Sequence, residues 1–378
     1  MRLGIDVLQA ESFDRLAGQR VAILTNRTGR ASDGARTIDL LLEAPEVEVV
    51  RLLSPEHGLT TEFEGKVGDA VDAPTGLPIF SLYGESRRPT EAMLEGLDTV
   101  VFDVQDIGAR FYTYITTLGY LMEECAPLGV RVMVLDRPNP IAFLGVDGPS
   151  ADPDRLDFIA YRSIPVTHGL TMGELATLFN AEYDLGCDLE VVEMSDWYRN
   201  DEWAETGLRW IDPSPNIRNP EQAVLYPGIG LLEATPISVG RGTDTPFERL
   251  GAPWIDELRL ARALNRWALP GVRFVPVRFT PDASVHRGVE CGGVHIELTD
   301  RHSLRSVRTG LTIAWELEQL FGAHFDETRL MRLLKSHRVL VLWERRGPIG
   351  LEAAWEASAT RFAELARRYW RYPVDVSR

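Results

Sequence analysis

The sequence predicts an α/β fold, with a mostly parallel sheet covered by helices in its first part and a second, smaller α+β domain after it. Short apolar runs rich in β-branched residues alternate with helical patterns over the first half of the 378 residues. Strands that are apolar along most of their length, and that are separated by helices, are typical of a parallel sheet with both faces covered. Long helical patterns with few strands follow. At ~150 residues per domain, the length also allows two domains.

In the first part, each predicted strand is followed by a turn or a helix. The predicted strands cover residues 20–25, 47–53, 78–83, 99–104, 131–135 and 189–193. The predicted helices cover approximately residues 35–43, 91–97, 115–128 and 172–183. Thr171 precedes the last of these helices and Glu174 follows three residues later, which is the spacing of a capping box. We therefore expect Glu174 to cap a helix rather than to act as a catalytic acid.

A change of pattern between residues 212 and 230 marks the predicted domain boundary. Proline, glycine and asparagine are crowded there, and we expect one domain over 1–210 and another over 211–378. In the second domain the predicted helices cover residues 255–269, 304–320 and 352–370, and the predicted strands cover 272–279 and 293–298. The last helix carries an apolar stripe at helical spacing, which indicates core packing: Trp355, Ala359, Phe362, Ala366 and Tyr369.

Composition and charge exclude several classes of partner. With 56 acidic and 40 basic residues, the formal charge is −16, which argues against nucleic acid or an anionic membrane as the main partner and leaves a small molecule. No apolar run approaches the ~20 residues that a membrane helix needs. The N-terminal residues do not build the apolar stretch of a signal peptide, so we expect a soluble, cytoplasmic protein. The oligomeric state stays open.

The sequence predicts no metal and no cofactor. Cys125, Cys187 and Cys291 are far apart and form no C-x-x-C pair, and the seven histidines lack metal-ligand spacing. A dinucleotide-binding glycine fingerprint, a G-K-[ST] phosphate loop and an H-E-x-x-H motif are also missing. The chemistry is therefore expected to rest on side chains alone.

Polar loops follow four of the predicted strands. They cover residues 26–29, 54–58, 105–110 and 136–140. Because ligands bind beyond the carboxyl ends of the strands in open parallel sheets, these loops are expected to share one edge of the sheet and to line a crevice there.

Glu56 is the sharpest candidate for a catalytic group in these loops. It follows Pro55, which restricts the backbone, and it precedes His57 and Gly58, a turn that could direct the carboxyl group into a cleft. A carboxylic acid in a partly apolar cleft has a raised pKa and can donate a proton near neutral pH. The alternative is a loop carboxylate that accepts hydrogen bonds from backbone amides. His57 could position Glu56, contact a ligand, or serve only as a structural donor.

Three arginines and two tyrosines are candidates for ligand binding. Arg110, Arg137 and Arg241 can supply the bidentate contacts that a carboxylate prefers, and ordinary ion pairing is the alternative for each. Tyr112 and Tyr114 could offer a sugar ring an aromatic surface with hydroxyl groups, or they could belong to the start of an interior helix.

Seven stretches of the sequence, in order across both domains, match one family. They are LTN at 24–26, SPEHG at 54–58, FDVQDIGARFYTY at 102–114, VLDRPNP at 134–140, HGLTMGEL at 168–175, PSPN at 213–216 and GRGT at 240–243. In these motifs the sequence resembles the exo-β-N-acetylmuramidases of the NamZ type, a bacterial glycoside hydrolase family formerly known only as a domain of unknown function. The resemblance implies a Rossmann-like, doubly wound first domain, a second domain that closes the active-site cleft, and release of N-acetylmuramic acid from the non-reducing ends of peptidoglycan fragments.

The resemblance also implies roles for individual residues. The catalytic glutamate proposed for the family falls on Glu56, with His57 beside it. The residues expected to bind the saccharide or muropeptide are Asn26, Gln105, Asp106, Arg110, Tyr112, Tyr114, Arg137, Asn139, His168, Asn216, Glu233 and Arg241.

Two assignments are left as choices. The lactyl carboxylate of the substrate is expected on Arg110 or Arg241. A glycosidase generally needs a second group besides the acid, which can be a nucleophile, a base for water or the acetamido oxygen of the substrate. Asp103, Asp106 and Glu233 are candidates for it.

One departure from the family pattern concerns the saccharide. Where the family usually has an arginine after the His-Gly pair and one further residue, this chain has Thr60. The alternatives are therefore a glycosidase for another N-acetylamino sugar, or a muropeptide-binding protein without catalysis on the same scaffold. Many relatives carry a secretion signal that this sequence lacks, and a role in peptidoglycan recycling inside the cell is expected.

Overall fold

The computed structural model describes residues 1–377, apart from the side chains at 344–346 and 349. Its strands are β1 (Gln19–Thr25), β2 (Val47–Ser54), β3 (Ala70–Val71), β4 (Pro78–Ser81), β5 (Thr99–Asp103), β6 (Arg131–Leu135), β7 (Leu189–Val192), β8 (Arg249–Ala252), β9 (Val272–Phe279) and β10 (Cys291–Leu298). Its α-helices are α1 (Gly4–Ala10), α2 (Thr37–Glu43), α3 (Glu91–Leu94), α4 (Tyr114–Cys125), α5 (Met172–Glu182), α6 (Pro220–Ile229), α7 (Glu257–Asn265), α8 (Ser306–Phe321), α9 (Met331–Leu334), α10 (His337–Leu351) and α11 (Glu356–Arg367).

The first seven strands form one sheet in the order β3-β4-β2-β1-β5-β6-β7. Every neighbouring pair is parallel except β3 and β4. Without the two-residue strand β3, this is the 3-2-1-4-5-6 order of a doubly wound Rossmann sheet. The predicted α/β fold class is confirmed.

The two faces of this sheet pack against different helices. Successive side chains of a strand point to opposite faces, and in β5 Val100 and Phe102 belong to the core beneath α4 and α5. Val101, between them, belongs to the core that contains Ile5 of α1 and Leu41 of α2. Because both faces are buried, the strands are apolar along most of their length, which is the pattern that made them predictable.

The second, smaller domain contains an antiparallel sheet in the order β8-β10-β9. The prediction of β9 is confirmed and that of β10 is confirmed with a start two residues earlier. The crowded stretch after residue 212 is not all loop, because α6 begins there with Asn219 as its N-cap and Pro220 at its first position. A Cβ atom on Gly228 would lie 1.9 Å from the carbonyl oxygen of Ser306, so this glycine lets α6 and α8 touch backbone to backbone.

The other differences lie at helix ends and in elements that were not predicted, which are α1, β3, β8, α9 and α10. The helix predicted over 91–97 ends at Leu94, and the last predicted helix divides into a 3₁₀ turn at Glu352–Ala354 and α11. The capping box at Thr171 and Glu174 is confirmed, and the Glu174 carboxylate also pairs with Arg199. The apolar stripe from Trp355 to Ala366 is buried as predicted, with Tyr369 partly buried beside it. Within residues 1–377, no helix is long and apolar enough to cross a membrane.

Candidate active site

A cavity of about 430 Å³ lies between the two domains, next to the loops that follow β2, β4 and β5. The residues that line it are Glu56, His57, Glu64, Gly65, Tyr83, Arg87, Phe111, Tyr112, Thr113, Tyr114, Asp157, Phe158, Ile159, Ser214, Asn216, Ile217, Tyr226, Glu233, Arg241, Phe247, Arg332 and Leu333. Its size lies within the ~300–1,000 Å³ that small-molecule sites occupy. The cavity brings together seven of the predicted site residues: Glu56, His57, Tyr112, Tyr114, Asn216, Glu233 and Arg241.

Glu56 is held in this cavity by a tight turn and by hydroxyl groups. The two residues after it, His57 and Gly58, have φ angles of 71° and 70°, which turn the chain sharply after β2. Thr113 donates a hydrogen bond from Oγ1 to Oε2 of Glu56. Burial and a side-chain hydrogen bond to Glu56 raise the pKa of Tyr83 to about 12, so this phenol stays protonated and can donate to the carboxylate. The carboxyl group is therefore oriented from two sides.

His57 does not make such a contact with Glu56. Its Nδ1 lies 2.7 Å from the carbonyl oxygen of Phe63, which fixes the imidazole to the loop that crosses the cavity. Glu64, next in that loop, accepts a hydrogen bond of 2.6 Å from Nδ2 of Asn216 in the second domain. This loop therefore closes one side of the cavity.

Aromatic rings form the inner wall. The rings of Tyr112 and Tyr114 are 5.0 Å apart, and Tyr226 lies 5.8 Å from Tyr112 and 4.8 Å from Phe247, all in edge-to-face geometry. Tyr114 donates a hydrogen bond of 2.5 Å to the carbonyl oxygen of Pro213. Burial raises the pKa of both Tyr112 and Tyr226, so the phenols stay neutral and can act as donors. This wall is suited to the apolar face of a sugar ring.

A second carboxyl group, Glu233, lies in the same cavity opposite an arginine. Nη2 of Arg241 is 2.5 Å from Oε1 of Glu233, and the hydroxyl of Tyr226 is 3.5 Å from Oε2. Burial raises the pKa of Glu233, and the positive charge of Arg241 opposes that rise. The two carboxyl groups interact, because the charge of Glu56 also raises the pKa of Glu233. A pair of carboxyl groups in different surroundings is the arrangement that acid–base chemistry requires.

Arg110 does not reach the cavity, which corrects the expectation that it meets a ligand carboxylate. Its guanidinium is 1% exposed and donates to four backbone carbonyls, those of Pro149, Ile164, Leu333 and Leu334, at 2.8–2.9 Å. Nη1 and Nη2 each donate two of these bonds, so both terminal nitrogens are engaged inside the protein. Arg110 therefore ties the loop after β5 to helix α9 of the second domain.

Arg137 and Asp103 form a buried ion pair and are also withdrawn from the cavity. Nε and Nη2 of Arg137 lie 2.5 and 2.9 Å from the two carboxylate oxygens of Asp103, and Thr37 donates to the same carboxylate. Both pair members are nearly inaccessible to solvent. Asp103 is thus unsuited to be the second catalytic group.

The remaining predicted residues connect the loops to each other. Asn139 bonds to the backbone at Leu170 and Ile141, and Nδ1 of His168 accepts from the amide of Leu170. Gln105 donates to two backbone carbonyls, Asp106 accepts from the amide of Gly108, and Asn26 donates to the hydroxyl of Tyr114. None of Asn26, Gln105, Asp106, Asn139 and His168 lines the cavity. In this structure they bond to the loops around the cavity without lining it, and Gln105 and Asn26 line two other cavities.

Several cavity residues were not among the predicted ones. Tyr83 and Arg87 follow β4, whose carboxyl end meets the same edge of the sheet as the four loops chosen from the sequence. That position was the signal that could have identified them. Tyr226 and Arg332 come from helices of the second domain. The rule that ligands bind beyond the carboxyl ends of parallel strands does not identify such residues. Within residues 1–377, no three His, Cys, Asp or Glu side chains meet as a metal ion would require.

The position of Thr60 bears on the departure from the family pattern. Thr60 is exposed and lines a different cavity, together with Leu59 and Phe63. Thr60 itself is therefore not part of the lining of the cavity that contains Glu56.

Comparison with known proteins identifies two matching family regions. The model for the N-terminal part of the exo-β-N-acetylmuramidase NamZ matches residues 21–221, and the model for its C-terminal part matches residues 224–372. The chain is similar to the peptidoglycan β-N-acetylmuramidase NamZ of Bacillus subtilis, with 41% identity over 328 residues, which are 86% of this chain and 79% of the relative.

Two crystal structures of DUF1343 family proteins from Bacteroides fragilis share the fold. One has a TM-score of 0.90 and 36% identity, with 98% of each chain covered. The other has a TM-score of 0.80 and 29% identity, with 99% of each chain covered. The similarity extends over both domains.

Proposed function

The chain belongs to the NamZ family of exo-β-N-acetylmuramidases, and on that premise we propose that it is a glycosidase that releases N-acetylmuramic acid from the non-reducing ends of peptidoglycan fragments. The observation that carries the proposal is the position of Glu56. Its carboxyl group lies in a cavity of suitable size for a small ligand, with aromatic rings on one side and a second carboxyl group in the same space.

Glu56 is proposed as the catalytic acid. Its proton passes to the glycosidic oxygen as the bond to the anomeric carbon breaks, and water then supplies the new hydroxyl group at that carbon. The hydrogen bonds from Thr113 and Tyr83 support this role, because they hold the carboxyl group in one orientation during proton transfer.

Glu233 is proposed as the second group. Of the three carboxyl groups considered from the sequence, Glu233 lines the cavity, whereas Asp103 is committed to Arg137 and Asp106 to a backbone amide. Arg241 favours the ionised form of Glu233, which could then stabilise positive charge at the anomeric carbon or activate water. Arg241 and Asn216 are proposed to contact the sugar from the second domain.

The aromatic wall is proposed to bind the sugar ring. Tyr112, Tyr114 and Tyr226 supply aromatic surface, and Tyr112 and Tyr226 also supply hydroxyl groups, which matches the alternating apolar and polar surface of an N-acetylated hexose. Thr60 does not line this cavity, and the assay below decides between N-acetylmuramic acid and another amino sugar. A role in recycling inside the cell stays a prediction of the sequence.

One turnover assay tests the proposal against both alternatives. Purified protein is given the nitrophenyl β-glycosides of N-acetylmuramic acid and of N-acetylglucosamine, and a peptidoglycan fragment with a muramic acid at its non-reducing end. The proposal expects release from the muramoside and free N-acetylmuramic acid from the fragment. Preference for the glucosaminide would overturn it in favour of another amino-sugar glycosidase. Tight binding with no product would indicate a binding protein.

A further inference from the structure

Two arginines at the cavity are not neutralised by the protein. Arg87 and Arg332 both line it, and within the described part of the chain neither forms an ion pair or a hydrogen bond with another side chain. The third cavity arginine, Arg241, is already paired with Glu233. Arg87 and Arg332 are therefore the cations available to an anionic ligand among the described cavity residues.

Arg87 is held in place by aromatic rings. Its guanidinium carbon lies 4.2 Å from the ring centre of Phe158 and 5.2 Å from that of Tyr83, and the two rings are 5.8 Å apart. Cation–π contacts of this kind fix the plane of the guanidinium while leaving its N–H groups free to donate. The rings therefore position the side chain of Arg87, and its N–H groups stay available for hydrogen bonds to a ligand.

Arg332 is held by its helix. It belongs to α9, and Arg110 donates to the carbonyl oxygens of the two residues that follow it, Leu333 and Leu334. At the end of the same helix, Nζ of Lys335 lies 2.6 Å from Oδ2 of Asp157, another cavity residue. Contacts with the first domain at two points therefore fix the segment that carries Arg332 to the cavity.

Both arginines lie on the Tyr83 side of the catalytic carboxyl group. Tyr83 is hydrogen-bonded to Glu56 and also feels the positive charges of Arg87 and Arg332. The other charged residues that line the cavity are mainly acidic, with Glu56, Glu64, Asp157 and Glu233 against Arg241. An anionic sugar entering such a space needs a local positive charge to offset the repulsion.

We infer that Arg87 and Arg332 form the subsite for the carboxylate carried by the substituent at carbon 3 of the substrate. This inference rests on the proposed function. N-acetylmuramic acid differs from N-acetylglucosamine by its lactyl ether at that carbon, which ends in a carboxylate or in a stem peptide with carboxylates of its own. Two guanidinium groups match that chemistry by charge-assisted, bidentate hydrogen bonds. The sequence predicted this carboxylate on Arg110 or Arg241. The inferred subsite instead consists of Arg87, which the aromatic rings position, and Arg332, whose helix is held by Arg110.

The experiment measures binding of three probes by calorimetry: N-acetylmuramic acid, muramoyl dipeptide and N-acetylglucosamine. The variants are Arg87→Gln, Arg332→Gln and their combination, with Arg329→Gln as the matched control. Arg329 lies one turn before Arg332, is exposed and does not line the cavity. We expect each single variant to weaken N-acetylmuramic acid binding about tenfold and the double variant about a hundredfold. Arg329→Gln should change it less than about twofold.

The uncharged probe gives the decisive comparison. Binding of N-acetylglucosamine should stay within about twofold of wild type in all variants. Arg87→Lys and Arg332→Lys should keep part of the muramic acid affinity that the glutamine variants lose. A loss confined to the muramoyl dipeptide would assign the subsite to the stem peptide, which still supports a carboxylate subsite. Equal losses for both sugars, or unchanged affinity for both N-acetylmuramic acid and the muramoyl dipeptide in the double variant, would overturn the inference. Failure of the wild type to release N-acetylmuramic acid would instead overturn the proposed function.

Discussion

The hydroxyl group of Thr113 connects the loop after β5 to the catalytic candidate Glu56 by a hydrogen bond. It donates to the carboxylate from the residue that immediately precedes helix α4. A hydrogen bond of this kind holds the carboxyl group in one direction. The position of the carboxyl group is therefore set by a side chain from another loop as well as by the turn at His57.

Replacing Thr113 with valine should slow catalysis without unfolding the protein. Valine keeps the shape of the side chain but cannot hold the carboxyl group, and we expect kcat on the muramoside to fall about tenfold, or ~1.4 kcal/mol, with KM nearly unchanged. Thr117→Val is the matched control, because Thr117 is buried one turn later and donates to the carbonyl of Thr113. Equal effects of the two variants would contradict a role in orienting Glu56.

The pKa of Glu233 makes a prediction about pH. Burial raises this pKa, Arg241 lowers it and Glu64 raises it. If Glu233 must be ionised, activity is lost as the pH falls through its pKa. Arg241→Gln should raise the pKa further and move the acidic limb of the pH–kcat profile to higher pH, whereas Glu64→Gln should move that limb to lower pH. Shifts in the same direction, or no shift, would contradict the assignment of Glu233.

The sequence predicted the site at the level of loops better than at the level of residues. Glu56 and Asn216 line the cavity as expected, but Arg137, Asn139 and His168 bind backbone or a buried partner. Polar loops at a sheet edge must also satisfy one another's backbone groups. The same residue types serve both purposes, so their identity alone does not separate them.

At the scale of elements, the regular periodicity of apolar residues made the sheet predictable. Part of the second domain could not be predicted, because one of its helices contains residues that close packing requires and that usually interrupt helices. The β-branched runs of β1 and β5 gave their positions to within a residue. Helix α6 was missed because it contains Pro227 and Gly228, which usually interrupt helices. The glycine is there for the backbone contact with α8, which depends on an element about 80 residues away in the sequence.

Replacing Arg110 with methionine should destabilise the contact between the domains. Methionine leaves four buried carbonyl acceptors without their donor, and we expect the free energy of unfolding in urea to fall by about 3 kcal/mol. Arg20→Met is the control, because Arg20 also donates to a backbone carbonyl, that of Gly96, but is exposed. Its expected cost is below about 1 kcal/mol. Similar costs for both variants would show that Arg110 does not join the domains.

At the scale of the whole molecule, neither domain contains the cavity alone. The first supplies Glu56, Thr113 and Tyr83, and the second supplies Glu233 and Arg241. The sequence predicted that two parts would meet around one acid, because both carried motifs of one family. It could not predict which side chains of the second part face that acid, since their direction depends on how α6, α8 and α9 pack against the sheet.

The most direct test of the account compares Glu56→Gln with wild type on muramosides that differ in their leaving group. Glutamine keeps the size of the side chain but cannot protonate the glycosidic oxygen. For a natural sugar leaving group we expect a loss in kcat of about a thousandfold, with an unchanged thermal unfolding midpoint. A dinitrophenyl leaving group needs little protonation, so its loss should be far smaller. Equal losses for both leaving groups, or near-normal turnover of the natural substrate, would contradict Glu56 as the catalytic acid.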